Sequence, residues 1–322
     1  MAFRVFSSVE ECTAQFAGAG RCAVTIGNFD GLHVGHQKIL RSVRERARAT
    51  GSRAAVITFD PHPMRVLHPE RAPLMIQTLE QRVAGFEQMG LDSALVLRFD
   101  RALSQVTAEE FIVKFLAGGL RAGAILVGAN FRFGHRGAGD VEMLKRAGER
   151  DGFAVEVVPP VEVDGRIVSS TAIRAEVASG DVDGAIALLG RPFSLTGEIQ
   201  SGAGRGRTIL FPTLNLAPEQ ELRPALGVYA TESVVGGKLF SSVTNVGTRP
   251  TFDGSGVTVE SHLFGFNESV SGGRMEVRFH ARIRDEQKFS GVDALRAQIA
   301  RDIDTARKFF SERILAGNHS RE

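Results

Sequence analysis

Short apolar runs alternate with amphipathic, helix-like segments through the first half of this chain, and that alternation limits the possible folds more than any other feature. Runs typical of strands occur at residues 23–26, 54–59, 94–97, 124–127 and 154–158. Segments with helical spacing of apolar residues lie between them, at 34–50, 79–89, 108–116 and 141–150. This order of strands and helices predicts a doubly wound parallel sheet with helices on both faces.

The pattern changes after residues 191–199, where helical periodicity gives way to short strands separated by glycine-rich turns. Candidate strands occur at 228–233, 238–245, 257–264 and 275–283. Their close spacing predicts a small antiparallel β-barrel. A final helix follows, with one apolar stripe formed by Val292, Leu295, Ile299, Ile303, Ala306 and Phe310. We therefore predict two domains, at residues 1–186 and 187–322.

The composition limits the partners of the chain. Its 322 residues include 39 basic and 37 acidic residues, a near balance that argues against a nucleic-acid or membrane-surface partner. Its two cysteines, Cys12 and Cys22, lack the spacing of a disulfide framework or a zinc site, which favours a reducing compartment. No uncharged apolar run reaches the ~18 residues of a membrane helix. We expect a cytoplasmic protein, a monomer or weak homo-oligomer, that acts on small molecules.

The stretch TIGNFDGLHVGHQ, residues 25–37, places glycines and two histidines where a candidate strand gives way to a helix. Gly31 and Gly35 leave room for a sharp turn or a close ligand. The N-terminus of the helix favours a phosphate, and His33 and His36 flank it. No Lys-Ser or Lys-Thr pair follows the glycines, so the stretch is not a P-loop. The alternatives are an ordinary strand–turn–helix connection with two surface histidines, or half of a zinc site.

Three more segments occur in order along the chain: TFDPHP at 58–63, VGANFRFGHRGAGD at 127–140 and SSTAIR at 169–174. Together with HVGH at 33–36, they resemble the HxGH nucleotidyltransferase signature as it occurs in bacterial flavin-adenine dinucleotide (FAD) synthetases. Each segment follows a predicted strand or opens a predicted helix, and ligands of parallel sheets bind at the carboxyl ends of the strands.

The resemblance implies a Rossmann-like domain that transfers the adenylyl group of ATP to flavin mononucleotide (FMN), with Mg²⁺, and releases pyrophosphate. The attacking phosphate already carries negative charge, so catalysis reduces to alignment and neutralisation of charge. The implied catalytic residues are His33, His36 and Arg174. The implied nucleotide-binding residues are Gly27, Asn28, Phe29, Asp30, Gly35, Asn130, Ser170 and Thr171. Asn130 stands where many members of the family carry Asp.

A second informative stretch, GAGRGRTILFPTLNL at 202–216, interleaves glycines with arginines. Such a loop suits a polyphosphate, and a solvated turn is the alternative. With NVGTRPTF at 245–252, VESHLFGF at 259–266 and IRDEQKF at 283–289, it resembles the riboflavin kinase module of bacterial bifunctional enzymes.

This second resemblance implies that ATP phosphorylates riboflavin in the barrel. The implied Mg²⁺ ligands are Thr213 and Asn215, and the implied general base is Glu260, which without the motif reads as a solvent-facing strand residue. The implied nucleotide-binding residues are Gly204, Arg205, Gly206 and Arg207. Leu210 and Leu214 replace the Gly and Ala of the family's usual Gly-Phe-Pro-Thr-Ala-Asn. If the first position requires a positive φ, Leu210 is strained there.

We therefore interpret the chain as a bifunctional enzyme that converts riboflavin to FMN and FMN to FAD. Two alternatives stay open at this point. In one, the barrel only binds flavin beside a functional adenylyltransferase. In the other, the protein is a non-catalytic sensor of flavin or nucleotide.

Overall fold

The structure is a computed structural model that describes residues 2–16, 20–200, 211–251, 254–268, 270 and 272–319. The chain divides into two compact units, Met1–Ser170 and Thr171–Glu322, here called the N-terminal and C-terminal units. The domain boundary predicted between residues 186 and 187 stays a prediction.

Six parallel strands form the centre of the N-terminal unit, which confirms the predicted parallel sheet. The strands are β1 (Arg4–Phe6), β2 (Cys22–Ile26), β3 (Arg53–Asp60), β4 (Ser93–Arg98), β5 (Ala122–Gly128) and β6 (Ala154–Val158). Their order in the sheet is β1-β4-β3-β2-β5-β6. The chain winds outward from β2 on one side and starts again at β5 on the other. The carboxyl ends of β2 and β5 therefore form the switch point at which such sheets bind ligands.

Helices cover both faces of this sheet. They are α1 (Val9–Phe16), α2 (Val34–Thr50), α3 (Pro63–Leu67), α4 (Leu79–Gln88), α5 (Arg101–Ser104), α6 (Ala108–Phe111) and α7 (Val141–Asp151). The helix predicted at 108–116 is α6 followed directly by a π-helix, Ile112–Gly119. At its end a Cβ on Gly119 would lie 2.2 Å from Val9 Cγ2, so glycine permits the close approach of α1. A two-strand ribbon, β7 (Glu162–Val163) and β8 (Arg166–Ile167), follows β6.

Alternate residues of the strands face two separate cores. Val24 and Ile57 pack on one face with α1, the π-helix and α7. Ala23 and Val56 pack on the other face with Leu40 of α2 and Phe86 of α4. Because both faces of the central strands β2, β3 and β5 are buried, these strands read as continuous apolar runs, which is why the sequence predicted them well.

The C-terminal unit contains an antiparallel barrel followed by a helix, as predicted, and the barrel is closed and has six strands. Two short helices precede the barrel and a long one follows it: α8 (Ser170–Ser179), α9 (Val182–Leu189) and α10 (Val292–His319). The strands are β9 (Phe193–Gln200), β10 (Leu214–Pro218), β11 (Gly227–Val235), β12 (Lys238–Thr251), β13 (Gly254–Leu263) and β14 (Arg274–Asp285). Their order around the barrel is β10-β13-β12-β11-β14-β9.

The interior of the barrel contains a chain of hydroxyl groups, and its outer face carries α10. Thr231 bonds to Ser242 at 2.8 Å and to Thr244 at 2.6 Å, and all three are fully buried. On the outside, Val228 and Ala230 pack against the apolar stripe of α10. The stripe contacts the barrel from Ile299 onward, at Ile303, Ala306 and Phe310. Val292, the first residue of the helix, is exposed.

Candidate active sites

The turn after β2 has an unusual backbone conformation. Gly27 extends the pairing of β2 with β3, because its N–H donates to the Ile57 carbonyl at 3.1 Å. Phe29, Gly31 and Leu32 then adopt positive φ angles of 51°, 90° and 44°. Two of these are not glycine, and such residues enter the left-handed region only when their surroundings hold them there.

His33 caps the N-terminus of α2 through its imidazole ring. Its Nδ1 accepts the backbone N–H of His36 at 3.1 Å, so Nε2 carries the proton of the neutral ring. The two imidazoles stack with centroids 3.5 Å apart and planes 18° apart. A Cβ on Gly35 would lie 3.1 Å from Nδ1 of His33, so glycine leaves the room that this ring needs.

Both histidines are neutral at physiological pH. Burial lowers the pKa of His33 to about 4, and its side chain is only 6% exposed. Burial, together with the neighbouring ring, holds the pKa of His36 well below its usual value. The pair therefore offers neutral N–H donors at a helix N-terminus and contributes no positive charge.

Asp30 holds the turn in place from within the protein. Its buried carboxylate accepts the backbone N–H groups of Ile76 at 3.2 Å and Gln77 at 3.1 Å. Its backbone carbonyl accepts the Ser170 hydroxyl at 2.8 Å. Two residues predicted to bind nucleotide, Asp30 and Ser170, are thereby joined to each other.

A cleft of about 800 Å³ opens beside the turn, at the carboxyl ends of the strands. Gly27, Asn28 and Asn130 line it, so residues predicted from two distant motifs meet at the switch point between β2 and β5. The Asn28 amide nitrogen lies 3.1 Å from Nε2 of His62, another lining residue, which comes from the TFDPHP segment. A large part of the remaining wall is aromatic, formed by Phe59, Phe99, Phe111, Phe131 and Phe133.

The loop that carries Asn130 is tied to the segment between α5 and α6. Nδ1 of His135 donates to the Ser104 carbonyl at 2.8 Å, and the backbone N–H of His135 donates to Val106 at 2.7 Å. A Cβ on Gly134 would lie 2.5 Å from the backbone of Ala108, so only glycine permits this contact. The part of the aromatic wall that Phe131 and Phe133 form therefore lies on a loop held in place by these contacts.

In the C-terminal unit, three polar residues form a row across neighbouring strands. Asn215 of β10 pairs with Glu260 of β13, and Glu260 pairs with Asn245 of β12. Side chains directly opposed in this way have Cβ atoms about 4.5–5.5 Å apart. Thr213 lies two residues before Asn215, immediately before β10. The register thus brings the predicted base beside one predicted metal ligand.

His262 fastens the segment that leads to Thr213. Its Nδ1 donates to the Pro212 carbonyl at 2.8 Å, and its ring packs between Phe211 and Phe264 with centroids 5.4 and 5.8 Å away. A second cavity, of about 300 Å³, lies beside it and is also lined by Ile303 and Arg307 of α10.

Comparisons with known proteins match both units. A family model described as FAD synthetase matches residues 16–172, and one described as riboflavin kinase matches residues 189–310. A bifunctional riboflavin kinase/FMN adenylyltransferase from Haemophilus influenzae is 38% identical over 291 residues, which cover 90% of this chain and 94% of that protein. The enzyme of the same name from Pseudomonas fluorescens is 39% identical, with 89% and 92% covered.

The chain belongs to the bifunctional riboflavin kinase/FMN adenylyltransferase family. The family predicted from the motifs is thereby confirmed. A solved structure described as a macrolide-efflux protein from Streptococcus pneumoniae has a TM-score of 0.85 and 31% identity, covering 95% of this chain and 99% of that one. Efflux is not an activity that the family models or these curated relatives name. Within the described residues, every helix is too short or too polar to cross a membrane.

Several other predicted residues lie in α8 or outside the described structure. Thr171 and Arg174 occupy the first two turns of α8. The predicted phosphate-loop residues lie outside the described residues: Gly204, Arg205, Gly206, Arg207 and, with them, Leu210. Phe29 is 2% exposed and packs edge-on against His36 at 5.1 Å, so its ring supports the histidine pair.

Sequence reasoning assigned no role to Asn245 and His262, although both lie in segments that carry the resemblance. It also missed Arg82, whose side chain is 1% exposed. An arginine among helix-favouring residues reads as solvent-facing, and burial became visible only in the structure.

Proposed function

We propose that the two activities of this family are carried out by separate parts of the chain. The protein phosphorylates riboflavin to FMN and adenylylates FMN to FAD, using ATP in both reactions and releasing pyrophosphate in the second. The adenylyl transfer takes place at the cleft beside β2 and β5, and the phosphorylation at the row of Asn215, Glu260 and Asn245 on the barrel.

The convergence of Gly27, Asn28 and Asn130 on one cleft is the observation that carries the first assignment. The cleft lies at the carboxyl ends of parallel strands, where mononucleotides bind in doubly wound sheets. Its aromatic walls suit the flat isoalloxazine ring of FMN, because aromatic rings pack favourably against one another. The polar end then receives the phosphate groups.

The histidine pair contributes hydrogen bonds to the adenylyl transfer. Because Nδ1 of His33 is occupied by the His36 N–H, its free donor is Nε2–H, which is suited to a phosphoryl oxygen. The pKa of both rings is lowered, so they act as donors and not as acids at neutral pH. The positive charge that the leaving pyrophosphate requires comes from elsewhere, and Arg174 and Mg²⁺ are our candidates.

In the barrel, Glu260 accepts the proton from the ribityl hydroxyl as that oxygen attacks the terminal phosphate of ATP. An alcohol loses a proton in this reaction, so a positioned carboxylate assists it. The two flanking amides, Asn215 and Asn245, orient the carboxylate from neighbouring strands.

The residues near Glu260 suit Mg²⁺ as it binds with nucleotides. Among the described residues, no group of three or more His, Cys, Asp or Glu side chains forms a metal cage. Mg²⁺ instead favours one or two protein oxygens together with substrate phosphates, and the hydroxyl of Thr213 and the amide oxygen of Asn215 are such oxygens. When bound, the ion neutralises charge on the phosphates. The monomeric or weakly oligomeric state and the cytoplasmic location remain predictions.

Turnover with labelled ATP tests this function. The purified protein is incubated with riboflavin, ATP and Mg²⁺, and flavins and nucleotides are separated by chromatography. We expect FMN with ADP, followed by FAD with pyrophosphate. Flavin binding without ADP would favour a barrel that only binds flavin, and binding of both ligands without any product would favour a sensor.

A further inference from the structure

Arg82 is the largest fully buried side chain of the described residues. It lies in the first turn of α4, whose N-terminus is fixed by a capping box between Thr78 and Gln81. Fully buried arginines are rare, because a charged group loses its hydration when it leaves water. Burial lowers the pKa of this guanidinium, and Asp30 and Asp60 oppose that shift.

The guanidinium joins the end of β3 to the turn after β2. Its Nη1 donates to the Asn28 carbonyl at 2.8 Å and to the Phe59 carbonyl at 3.4 Å. Its Nη2 lies 3.5 Å from Oδ1 of Asp60. A planar fork can reach acceptors on the turn and on β3 at once, whereas a lysine ammonium is a single point on a flexible stem.

Two neighbours of Arg82 on the same face of α4 contact the same turn. Phe86 packs edge-on against Phe29, with ring centroids 5.7 Å apart. Gly85 leaves space for Leu32, because a Cβ there would lie 2.1 Å from Leu32 Cδ1. Residues three and four apart share one face of a helix. One face of α4 therefore contacts three positions of the turn, including both non-glycine residues with positive φ.

The charge of Arg82 has a structural role as well, because Asp30, which raises its pKa, is only 2% exposed. Replacing both members of a buried ion pair with apolar side chains often leaves stability unchanged, whereas removing one member is destabilising. The Asp60 carboxylate is 48% exposed, so water solvates it without Arg82. The Asn28 carbonyl keeps a second donor, the Thr58 hydroxyl at 3.3 Å. The feature that an apolar side chain cannot supply is the fixed distance between the turn and β3.

We propose that Arg82 is a positioning residue for FMN adenylylation: its guanidinium holds the Asn28 carbonyl against the end of β3, and so sets the place of Asn28 and of the His33–His36 corner. This inference rests on the proposed adenylyl-transfer site. A shift of the turn by about 1 Å is enough to lower the rate of a transfer reaction about 10²-fold.

The test measures FAD formation from FMN and ATP by the full-length protein carrying Arg82→Met, Arg82→Lys or Arg82→Ala. Arg150→Met is the matched control, because Arg150 is a half-exposed, ion-paired arginine of the same unit. For Arg82→Met we expect a folded protein with a lower melting temperature, because the buried Asp30 loses a nearby positive charge. We also expect a kcat about 10²-fold lower, with KM values for ATP and FMN little changed. Riboflavin phosphorylation stays at its normal rate, and added guanidinium partly restores FAD formation by Arg82→Ala.

A normal kcat in folded Arg82→Met overturns the proposal, and so does full activity in Arg82→Lys, which carries the charge but not the fork. If Arg82→Met does not fold, Arg82→Lys and guanidinium rescue of Arg82→Ala still decide the question, since a merely structural residue would change the folded fraction and not kcat. His36→Ala separates the two failures. Normal FAD formation in His36→Ala would refute the proposed site itself, whereas its loss beside a normal Arg82→Met would refute only the positioning role.

Discussion

Replacing His33 with Asn should make the N-terminal unit more resistant to acid while it suppresses FAD synthesis. His33 is both the cap of α2 and a buried neutral imidazole. Asn is among the best N-cap residues, so it keeps an acceptor for the His36 N–H. The substitution therefore removes the ionisable ring and leaves the cap in place.

The magnitude follows from the pKa of His33, which is about 4 in the folded protein against 6.5 for an ordinary histidine. Between these values the unfolded chain binds more protons than the folded protein, so the free energy of unfolding falls as pH falls from 6.5 to 4. Above pH 6.5 the neutral His33 ring does not lower the free energy of unfolding. At pH 5, His33 lowers the free energy of unfolding by about 2 kcal/mol, and His33→Asn should not show this loss.

Urea unfolding at pH 7.5 and pH 5 measures this difference. The chain has no Trp and its single Tyr, Tyr229, lies in the barrel, so unfolding is followed by hydrogen exchange in α2. Carboxylates titrate in both proteins and cancel in the comparison. FAD formation by His33→Asn should fall about 10²–10³-fold, the usual effect of losing one aligned donor. An equal loss of stability in both proteins between the two pH values would refute the neutral, buried state of His33.

Four further predictions concern the C-terminal unit. Glu260→Gln should lower riboflavin phosphorylation about 10²–10⁴-fold while flavin binding, measured by fluorescence, persists; Thr213→Ala should instead raise the Mg²⁺ concentration for half-maximal activity. His262→Asn should keep a donor to the Pro212 carbonyl and normal kinase activity, whereas His262→Ala should raise KM for ATP. Equal kinetics of the two variants would refute the view that His262 holds the segment before Thr213 in place. A fragment of residues 171–322 should melt at a higher temperature than a fragment of residues 187–322, because the shorter fragment lacks α8 and most of α9. Calorimetry measures this difference, and equal melting temperatures would contradict the prediction.

The reason for the last expectation is the packing of α8 and α9 against the barrel. Ile173, Val177 and Ala185 are fully buried. The Ala225 N–H donates to the Val177 carbonyl at 3.3 Å, and α9 contacts β9 and β14. Removing these helices exposes apolar barrel surface.

The elements with strong periodicity were predictable from the sequence, and those that depend on distant neighbours were not. The predicted helix 34–50 matches α2, and the run 154–158 matches β6, because each carries its own apolar pattern. β1 was missed, since a three-residue edge strand is too short for a pattern. The π-helix after Phe111 was read as α-helix because both place apolar residues at similar spacing.

Only those parts of the site that lie in recognisable sequence motifs could be predicted. Asn28 and Asn130 were found from the resemblance, and their meeting at one cleft follows from the strand order, which no single motif states. The neutral state of His33 depends on its burial, and the role of Arg82 depends on which carbonyls lie within reach. Both are consequences of packing between segments far apart in the sequence.

Mixing two variants that each lack one of the two activities tests the central claim, that one chain carries two independent flavin sites. His36→Ala should convert riboflavin to FMN and stop there, and Glu260→Gln should adenylylate added FMN but leave riboflavin unchanged. Mixed together with riboflavin, ATP and Mg²⁺, the two proteins should produce FAD, as separated by chromatography. Loss of both activities in either folded variant, or a mixture that accumulates FMN without FAD, would contradict the account.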